Sequence, residues 1–165
     1  AAIESCLADA GVHPGDVAHI NAHGTGTKLN DEMAKLEANA AGADDALMLD
    51  QRGFVAETNA THVFCVQSGE VFTSRLVACP EGITRRTVLA LCAEHEIPAA
   101  ERDFTQAEVY RADEMFCTGT MGELAAVNRV DGRAIGNGEV GPITQRLSGL
   151  YQEHVLATGE RIVDA

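Results

Sequence analysis

Three short stretches of the sequence contain residue types that could do polar chemistry. The first centres on Glu57, whose neighbours Phe54, Val55 and Val63 are apolar. A carboxylate in such surroundings needs a partner, because burying an unpaired charge is costly in free energy. Glu57 is therefore a candidate for a residue with a specific polar or charged partner. The residues alone leave open an alternative, an acidic turn residue in a sheet hairpin.

The other two stretches could bind an anion. Gly82-Ile83-Thr84 opens a predicted helix, where unpaired backbone N–H groups and the positive end of the helix dipole favour negative charge. Gly119-Thr120 would add a second loop with one more hydroxyl donor. Each motif alone is weak, since Gly-Ile-Thr is also a common helix start, but with Glu57 they support one another.

Together with the Glu57 stretch, residues 80–85 and 117–123 resemble the branched-chain amino acid aminotransferase family, which comprises fold type IV pyridoxal-phosphate enzymes. The resemblance runs from about residue 28 to about residue 151, with the three motifs in family order. It implies pyridoxal 5'-phosphate as the cofactor and Glu57 as the partner of its pyridine nitrogen. It places the following residues beside the cofactor or on its phosphate: Asn59, Thr61, Gly82, Ile83, Thr84, Gly119 and Thr120.

The resemblance also implies an activity. A complete member of the family would transfer the amino group of valine, leucine or isoleucine to 2-oxoglutarate, so the expected partners are amino acids and 2-oxo acids. A homodimer is compatible with this interpretation. The cofactor would supply the electronic chemistry, while the protein would supply binding, orientation and charge.

Covalent capture of the cofactor requires a lysine, and the sequence contains only Lys28 and Lys35. In the resemblance, the Schiff-base position falls at or next to Gly24, so Lys28 is a substitute candidate for that role. We expect the small N-terminal domain of the family to be missing as well. The prediction is therefore a cofactor half-site with little or no turnover, unless Lys28 has taken over.

The residues before Lys28 follow a different pattern. Residues 21–27 read N-A-H-G-T-G-T and continue with Leu29-Asn30-Asp31, which resembles the histidine loop of β-ketoacyl carrier-protein synthases. This second resemblance implies that His23 stabilises a thioester carbonyl, although we identify neither the nucleophilic cysteine nor the second histidine of such enzymes. We predict a synthase-like segment at residues 1–31 and an aminotransferase cofactor domain at residues 32–165. The alternatives are a synthase fragment and an inactive fusion.

Composition excludes several classes of protein. The chain has 165 residues and a net charge of −13, which argues against nucleic acid or an anionic membrane as partner. No apolar run approaches membrane-spanning length. The five cysteines show no metal-like spacing, and we expect Cys65, Cys92 and Cys117 to be buried thiols. We therefore predict no metal site and a reducing, cytoplasmic setting.

The elements that must position these residues follow from hydrophobic periodicity and turn residues. The fold class predicted is α/β (α+β), a large-domain pseudo-barrel of fold type IV preceded by a short thiolase-like helix-strand-loop. Strands are predicted at residues 46–49, 55–57, 62–67, 71–73, 114–117 and 124–130. Helices are predicted at residues 31–41, 82–94, 106–110 and 142–156.

Overall fold

The computed structural model of the protein describes residues 35–158, apart from residues 37 and 41. Residues 35–36 and 38–40 are helical. The strands are β1 (Leu47–Leu49), β2 (Val55–Thr58), β3 (His62–Gln67), β4 (Glu70–Thr73), β5 (Ala99–Glu101), β6 (Glu114–Gly119), β7 (Glu123–Ala126), β8 (Arg129–Val130) and β9 (Arg133–Ala134). The helices are α1 (Ile83–Glu94), α2 (Gln106–Val109) and α3 (Pro142–Thr158).

Five strands form a mixed sheet in the order β5-β4-β3-β6-β7. Strand β3 lies at its centre and pairs antiparallel with both β4 and β6. The tight β3–β4 turn uses Ser68 and Gly69, with φ of 51° and 83°, values that suit a two-residue hairpin. Strand β5 runs parallel to β4 because α1 carries the chain back between them. Strands β1 and β2 form one separate ribbon, and β8 and β9 form another.

The central strands β3, β4 and β6 are buried on both faces, and alternation along β3 divides the core in two. Val63 and Cys65 join one cluster, which includes Phe72 and Phe104, while Phe64 belongs to the other. That second cluster lies under the helices and includes Val88 and Cys92 of α1 and Leu147 of α3. Successive side chains of a strand point to opposite faces, so a near-continuous apolar run such as β3 suits a sheet covered on both sides.

Helix α1 is held over the sheet by aromatic and aliphatic packing. Phe64 and Phe116 are directly paired across β3 and β6, and their rings stack with centroids 5.0 Å apart. Val88 is fully buried against this layer. The N-terminus of α1 is therefore fixed beside the ends of β3 and β6, which is where the candidate site lies.

Most predicted elements agree with the structure, but residues 124–130 do not form one strand. The chain leaves the sheet after Ala126 and turns into the short ribbon of β8 and β9. The backbone N–H of Val127 bonds the carbonyl of Met115, and that of Ile135 bonds the carbonyl of Asn128. The apolar run continues through this turn because Val127 and Val130 pack against the core from outside the sheet.

Candidate functional site

A recess of about 110 Å³ lies where three elements converge: the start of β3, the N-terminus of α1 and the end of β6. The pairing of His62 with Thr118 across β3 and β6 brings the two strand ends side by side. The residues that line the recess are Ala60, His62, Gly82, Ile83, Thr84, Thr118, Gly119 and Thr120. The recess is therefore built from the anion-binding motifs that the sequence singled out.

The N-terminus of α1 differs from those of the other two labelled helices. The carboxylate of Glu114 accepts hydrogen bonds from Ile143 N (3.0 Å) and Thr144 N (2.7 Å) at the start of α3. The carboxylate of Glu108 closes a capping box with Thr105 before α2. Helix α1 has no side-chain cap among the described residues, and its first turn contains no acidic residue. Its backbone N–H groups are thus open to an external anion.

Gly82 brings the backbone of this loop against the imidazole ring of His62. Its φ is 67°, in the region that favours glycine. A Cβ atom at this position would lie 2.4 Å from Cε1 of His62, so a larger residue has no room. His62 Nε2 lies 2.7 Å from the carbonyl oxygen of Pro80, which fixes the loop two residues before Gly82.

The surroundings of His62 favour the neutral form of its imidazole. Burial is the main cause of its lowered pKa, and the positive charge of Arg85 lowers the pKa further, against the hydrogen bond to Pro80. A neutral ring donates one N–H, and the Pro80 carbonyl is an acceptor, so the Nε2–H tautomer matches this contact.

Two threonines supply buried polar groups to the recess. Thr118 is fully buried, and its Oγ1 atom has no hydrogen-bond partner within the described residues. Thr84 is also buried, on the first turn of α1. An unpartnered buried hydroxyl is uncommon in folded proteins and indicates a missing polar neighbour, such as a bound group or water.

Arg85 lies directly behind this turn. It is 1% exposed, and its Nη2 atom donates to the carbonyl oxygen of Ser74 (2.7 Å) and to Oε2 of Glu101 (2.7 Å). Its Nε atom has no partner among the residues that the structure describes. The guanidinium is therefore a buried cation that forms an ion pair with Glu101, whose side chain is 44% exposed.

Glu57 lies on β2, opposite Met48 of β1, and is half-buried. It does not line the recess. Its charge reaches Cys79, in the loop between β4 and α1: burial and then the negative charge of Glu57 raise the pKa of that thiol to about 11. The predicted role of Glu57 as the partner of a pyridine nitrogen stays a prediction.

Asn59 and Thr61 make contacts within their own loop and its surroundings. Asn59 Oδ1 accepts a hydrogen bond from Ala46 N (3.3 Å). The Thr61 hydroxyl lies 2.8 Å from that of Thr58, and its methyl group lies under Gly119, where a Cβ would be 3.0 Å away. Their predicted role beside the cofactor stays a prediction.

Five of the predicted site residues therefore meet in one recess, namely Gly82, Ile83, Thr84, Gly119 and Thr120. His23 and Lys28 lie outside the described residues. Sequence reasoning did not include His62, Thr118 and Arg85 among the site residues. Thr118 and Arg85 adjoin the motifs in sequence, whereas the register between β3 and β6 is what brings His62 to the site.

The part of the chain that the structure describes also bears on metal binding, membrane spanning and thiol chemistry. There, no group of three or more histidine, cysteine or acidic side chains could hold a metal ion. Within the described part of residues 35–158, no helix has the length and apolar character that crossing a bilayer requires. The four cysteines in this part are free thiols, and Cys65, Cys92 and Cys117 are buried as predicted.

Comparison with known proteins identifies the class that this fold and recess define. The sequence profile of the family described as "Amino-transferase class IV" matches residues 11–130. This match covers more than half of the chain, so the chain belongs to the class IV aminotransferase family. The match begins at residue 11 and therefore overlaps the segment that the sequence analysis assigned to a synthase-like origin.

Individual relatives agree with this assignment. The chain is 48% identical over 125 residues to a branched-chain-amino-acid aminotransferase-like protein 2 of Arabidopsis thaliana, covering 76% of this chain and 22% of the relative. It is 42% identical over 139 residues to a branched-chain-amino-acid aminotransferase of Pseudomonas aeruginosa, covering 84% of this chain and 45% of the relative. This chain therefore spans less than half the length of these curated relatives.

Solved structures show the same fold. The branched-chain amino acid aminotransferase of Thermobaculum terrenum, in its PLP form, superposes with a TM-score of 0.76 at 36% identity, covering 78% of this chain and 43% of that one. The branched-chain aminotransferase of Thermoproteus uzoniensis with norvaline superposes with a TM-score of 0.76 at 39% identity, covering 82% of this chain and 45% of that one. The fold type IV class and the mixed α/β architecture predicted from the sequence are confirmed.

Proposed function

We propose that the chain binds pyridoxal 5'-phosphate and that the protein transaminates branched-chain amino acids with a 2-oxo acid such as 2-oxoglutarate. The observation that carries the proposal is the recess at the uncapped N-terminus of α1, with the unpartnered hydroxyl of Thr118 among its lining groups. Donors without acceptors, together with a helix N-terminus, fit a phosphate group.

Each residue would have a separate task in holding the cofactor. Gly82, Ile83 and Thr84 would offer backbone and hydroxyl donors to the phosphate, and Gly119 and Thr120 would close the other side. Glu57 would place a negative charge at the pyridine nitrogen and keep it protonated. Bound in this way, the cofactor supplies an electron sink for cleavage of bonds at Cα of an amino acid. Asn59 and Thr61 would hold the loop beside it.

The remaining parts of the proposal concern covalent attachment of the cofactor, the oligomeric state and the cellular compartment. We propose Lys28 as the residue that attaches the cofactor covalently. We also propose a homodimer, supported by the exposed apolar side chains Val77, Ile83 and Met121, two of which lie at or next to the recess. The reduced thiols support a reducing, cytoplasmic compartment.

The division into a synthase-like segment at residues 1–31 and a cofactor domain at residues 32–165 remains part of the proposal. Its support is the N-A-H-G-T-G-T loop that contains His23. If that loop acts as in the resembled synthases, the chain binds an acyl-thioester analogue and His23→Ala abolishes the binding. Absence of such binding would leave the aminotransferase assignment alone.

The primary test is binding of pyridoxal 5'-phosphate to the full 165-residue chain. We expect a change in the visible spectrum of the cofactor, displacement by inorganic phosphate, and much weaker binding of pyridoxal, which lacks the phosphate. Sedimentation of the same sample tests the dimer. Failure to bind either pyridoxal 5'-phosphate or phosphate would contradict the proposal.

Matched variants locate the site. Thr84→Val should weaken binding, whereas Thr87→Val, one turn further along α1 and bonded to the carbonyl of Ile83, should not.

Glu57→Gln should change the spectrum of bound cofactor more than its affinity, because the predicted contact is to the ring. Borohydride reduction followed by peptide mapping should label Lys28; labelling of Lys35, or of neither lysine, would contradict the assignment of Lys28.

A further inference from the structure

We propose that the buried guanidinium of Arg85 sets the electrostatic potential of the recess, and that Glu101 partly cancels it, so that this ion pair tunes the affinity for a phosphate group. The inference rests on the proposed function, because it concerns the same recess. Arg85 does not line the recess, so its action would be through charge rather than contact.

The position of Arg85 supports such an action at short range. It follows Thr84, a lining residue, on the first turn of α1, and it is 1% exposed. Its charge lies close enough to His62, another lining residue, to help lower the pKa of that imidazole. A buried charge is screened by solvent much less than a surface charge, and it acts here in the same direction as the helix dipole.

The compensation of this charge is incomplete. Glu101 Oε2 lies 2.7 Å from Nη2, but the Glu101 side chain is 44% exposed at the edge strand β5, where water weakens its field. The second contact of the guanidinium is the neutral carbonyl of Ser74, and its Nε atom has no partner among residues 35–158 as described. Glu57 adds a second negative charge in this region, since it acts on the thiol of Cys79 together with Arg85 and Glu101. We infer that the buried Arg85 charge still outweighs these exposed or half-buried carboxylates next to the recess, in a chain whose overall charge is −13.

The opposite signs of two substitutions distinguish this electrostatic role from a structural one. Glu101→Gln keeps Arg85 but removes the compensating charge, so phosphate and pyridoxal 5'-phosphate should bind about threefold more tightly at low salt. Arg85→Met removes the cation, so binding should weaken by at least about tenfold. A residue that only supports the fold would give weaker binding in both variants.

Isothermal titration of the full chain with inorganic phosphate and with pyridoxal 5'-phosphate gives both affinities, and circular dichroism checks folding. Glu94→Gln, an equal charge change on an exposed residue at the far end of α1, is the control and should leave affinity unchanged. The gain from Glu101→Gln should shrink in high salt.

Each outcome bears on the proposal. Unchanged or weaker binding by folded Glu101→Gln would overturn it while leaving the proposed function intact, and so would an equal gain in Glu94→Gln. If Arg85→Met does not fold, the Glu101→Gln measurement alone decides. If the parent chain binds neither probe, the proposed function and this inference both fail.

Discussion

At the scale of single residues, Gly82 shows how an absent side chain shapes the recess. The loop passes so close to His62 that a Cβ would lie 2.4 Å from the ring, and the φ of 67° adds a conformational requirement. Both constraints act at the point where α1 begins. Gly82, which the sequence already placed at an anion-binding helix start, is thus the point at which backbone and ligand could come together.

We predict that Gly82→Ala lowers the free energy of unfolding by about 2–4 kcal/mol and weakens phosphate binding, because strain and the clash with His62 combine. Gly132→Ala is the matched control. Its φ is 73°, but a Cβ there meets nothing within 4 Å, so only the conformational cost of about 1–2 kcal/mol applies. Urea denaturation measures both; equal losses would show that the His62 contact is unimportant.

The lowered pKa of His62 predicts a dependence of stability on pH. The unfolded histidine titrates near 6.5, and the folded one titrates lower. Between these values the unfolded chain binds more protons, so stability should fall as the pH falls from about 6.5 through the folded pKa.

Denaturation midpoints at pH values from about 5 to 8 test this dependence, with His62→Gln as the comparison. The amide can still donate to the Pro80 carbonyl but does not titrate. We expect the difference between parent and variant to depend on pH below about 6.5 and to be constant above about 7. A parallel pair of curves would contradict the assignment of this effect to His62.

At the scale of elements, the N-termini of α2 and α3 are capped by a carboxylate, whereas that of α1 is not, among the described residues. Glu114, from the start of β6, reaches the first N–H groups of α3, and Gly141 lets the carboxylate approach: a Cβ there would lie 2.0 Å from Glu114 Cδ. Glu108 caps α2 in a similar way. Helix α1 lacks such a carboxylate in the described structure. The unpaired N–H groups at a helix start need acceptors, and these can come from a side chain of the protein, as in α3, or from a bound anion, as proposed for α1.

We predict that Glu114→Ala lowers the free energy of unfolding by about 2 kcal/mol, because two N–H groups of α3 lose their acceptor in a buried place. Glu114→Gln should cost about half as much, since one acceptor remains. Denaturant titration measures both, and the exposed Glu139→Ala is the control. Phosphate affinity should stay unchanged, because Glu114 lies at the opposite end of β6 from the recess. A large loss of affinity in folded protein would contradict this separation.

At the scale of the whole molecule, the protein has a hydrophobic core on each face of its sheet and a strongly acidic composition. The net charge of −13 implies mutual repulsion that opposes the compact state. The recess nevertheless presents donors and lies beside a buried cation, so the attraction for an anion must be local.

We predict that raising NaCl from about 20 to about 300 mM increases the thermal midpoint by about 2–5 °C, because salt screens the repulsion. Scanning calorimetry in both buffers tests this, with sucrose of equal osmolality as the control. An unchanged or lower midpoint in salt would show that charge repulsion does not limit stability.

Several features followed from the sequence without tertiary information. The apolar runs and turn residues predicted β3, α1 and α3 nearly to their ends, because local periodicity and glycine turns specify them. Gly82-Ile83-Thr84 and Gly119-Thr120 were predicted as anion-binding motifs, and both line the recess. Local geometry makes such motifs visible, because a helix N-terminus carries its donors wherever it lies.

Other features were decided only by tertiary structure. The strand predicted at residues 124–130 ends at Ala126 because the chain then turns into the ribbon of β8 and β9, where the backbone N–H of Ile135 bonds the carbonyl of Asn128. His62 enters the recess through the register of β3 with β6, and Arg85 becomes a buried cation only when Ser74 and Glu101 close over it. The sequence specifies which chemical groups are available, and it largely determines the local backbone, because local backbone conformation depends on residues that are neighbours in the chain. Which groups meet, and which remain unpartnered, depended on contacts between distant segments, which no local pattern contains.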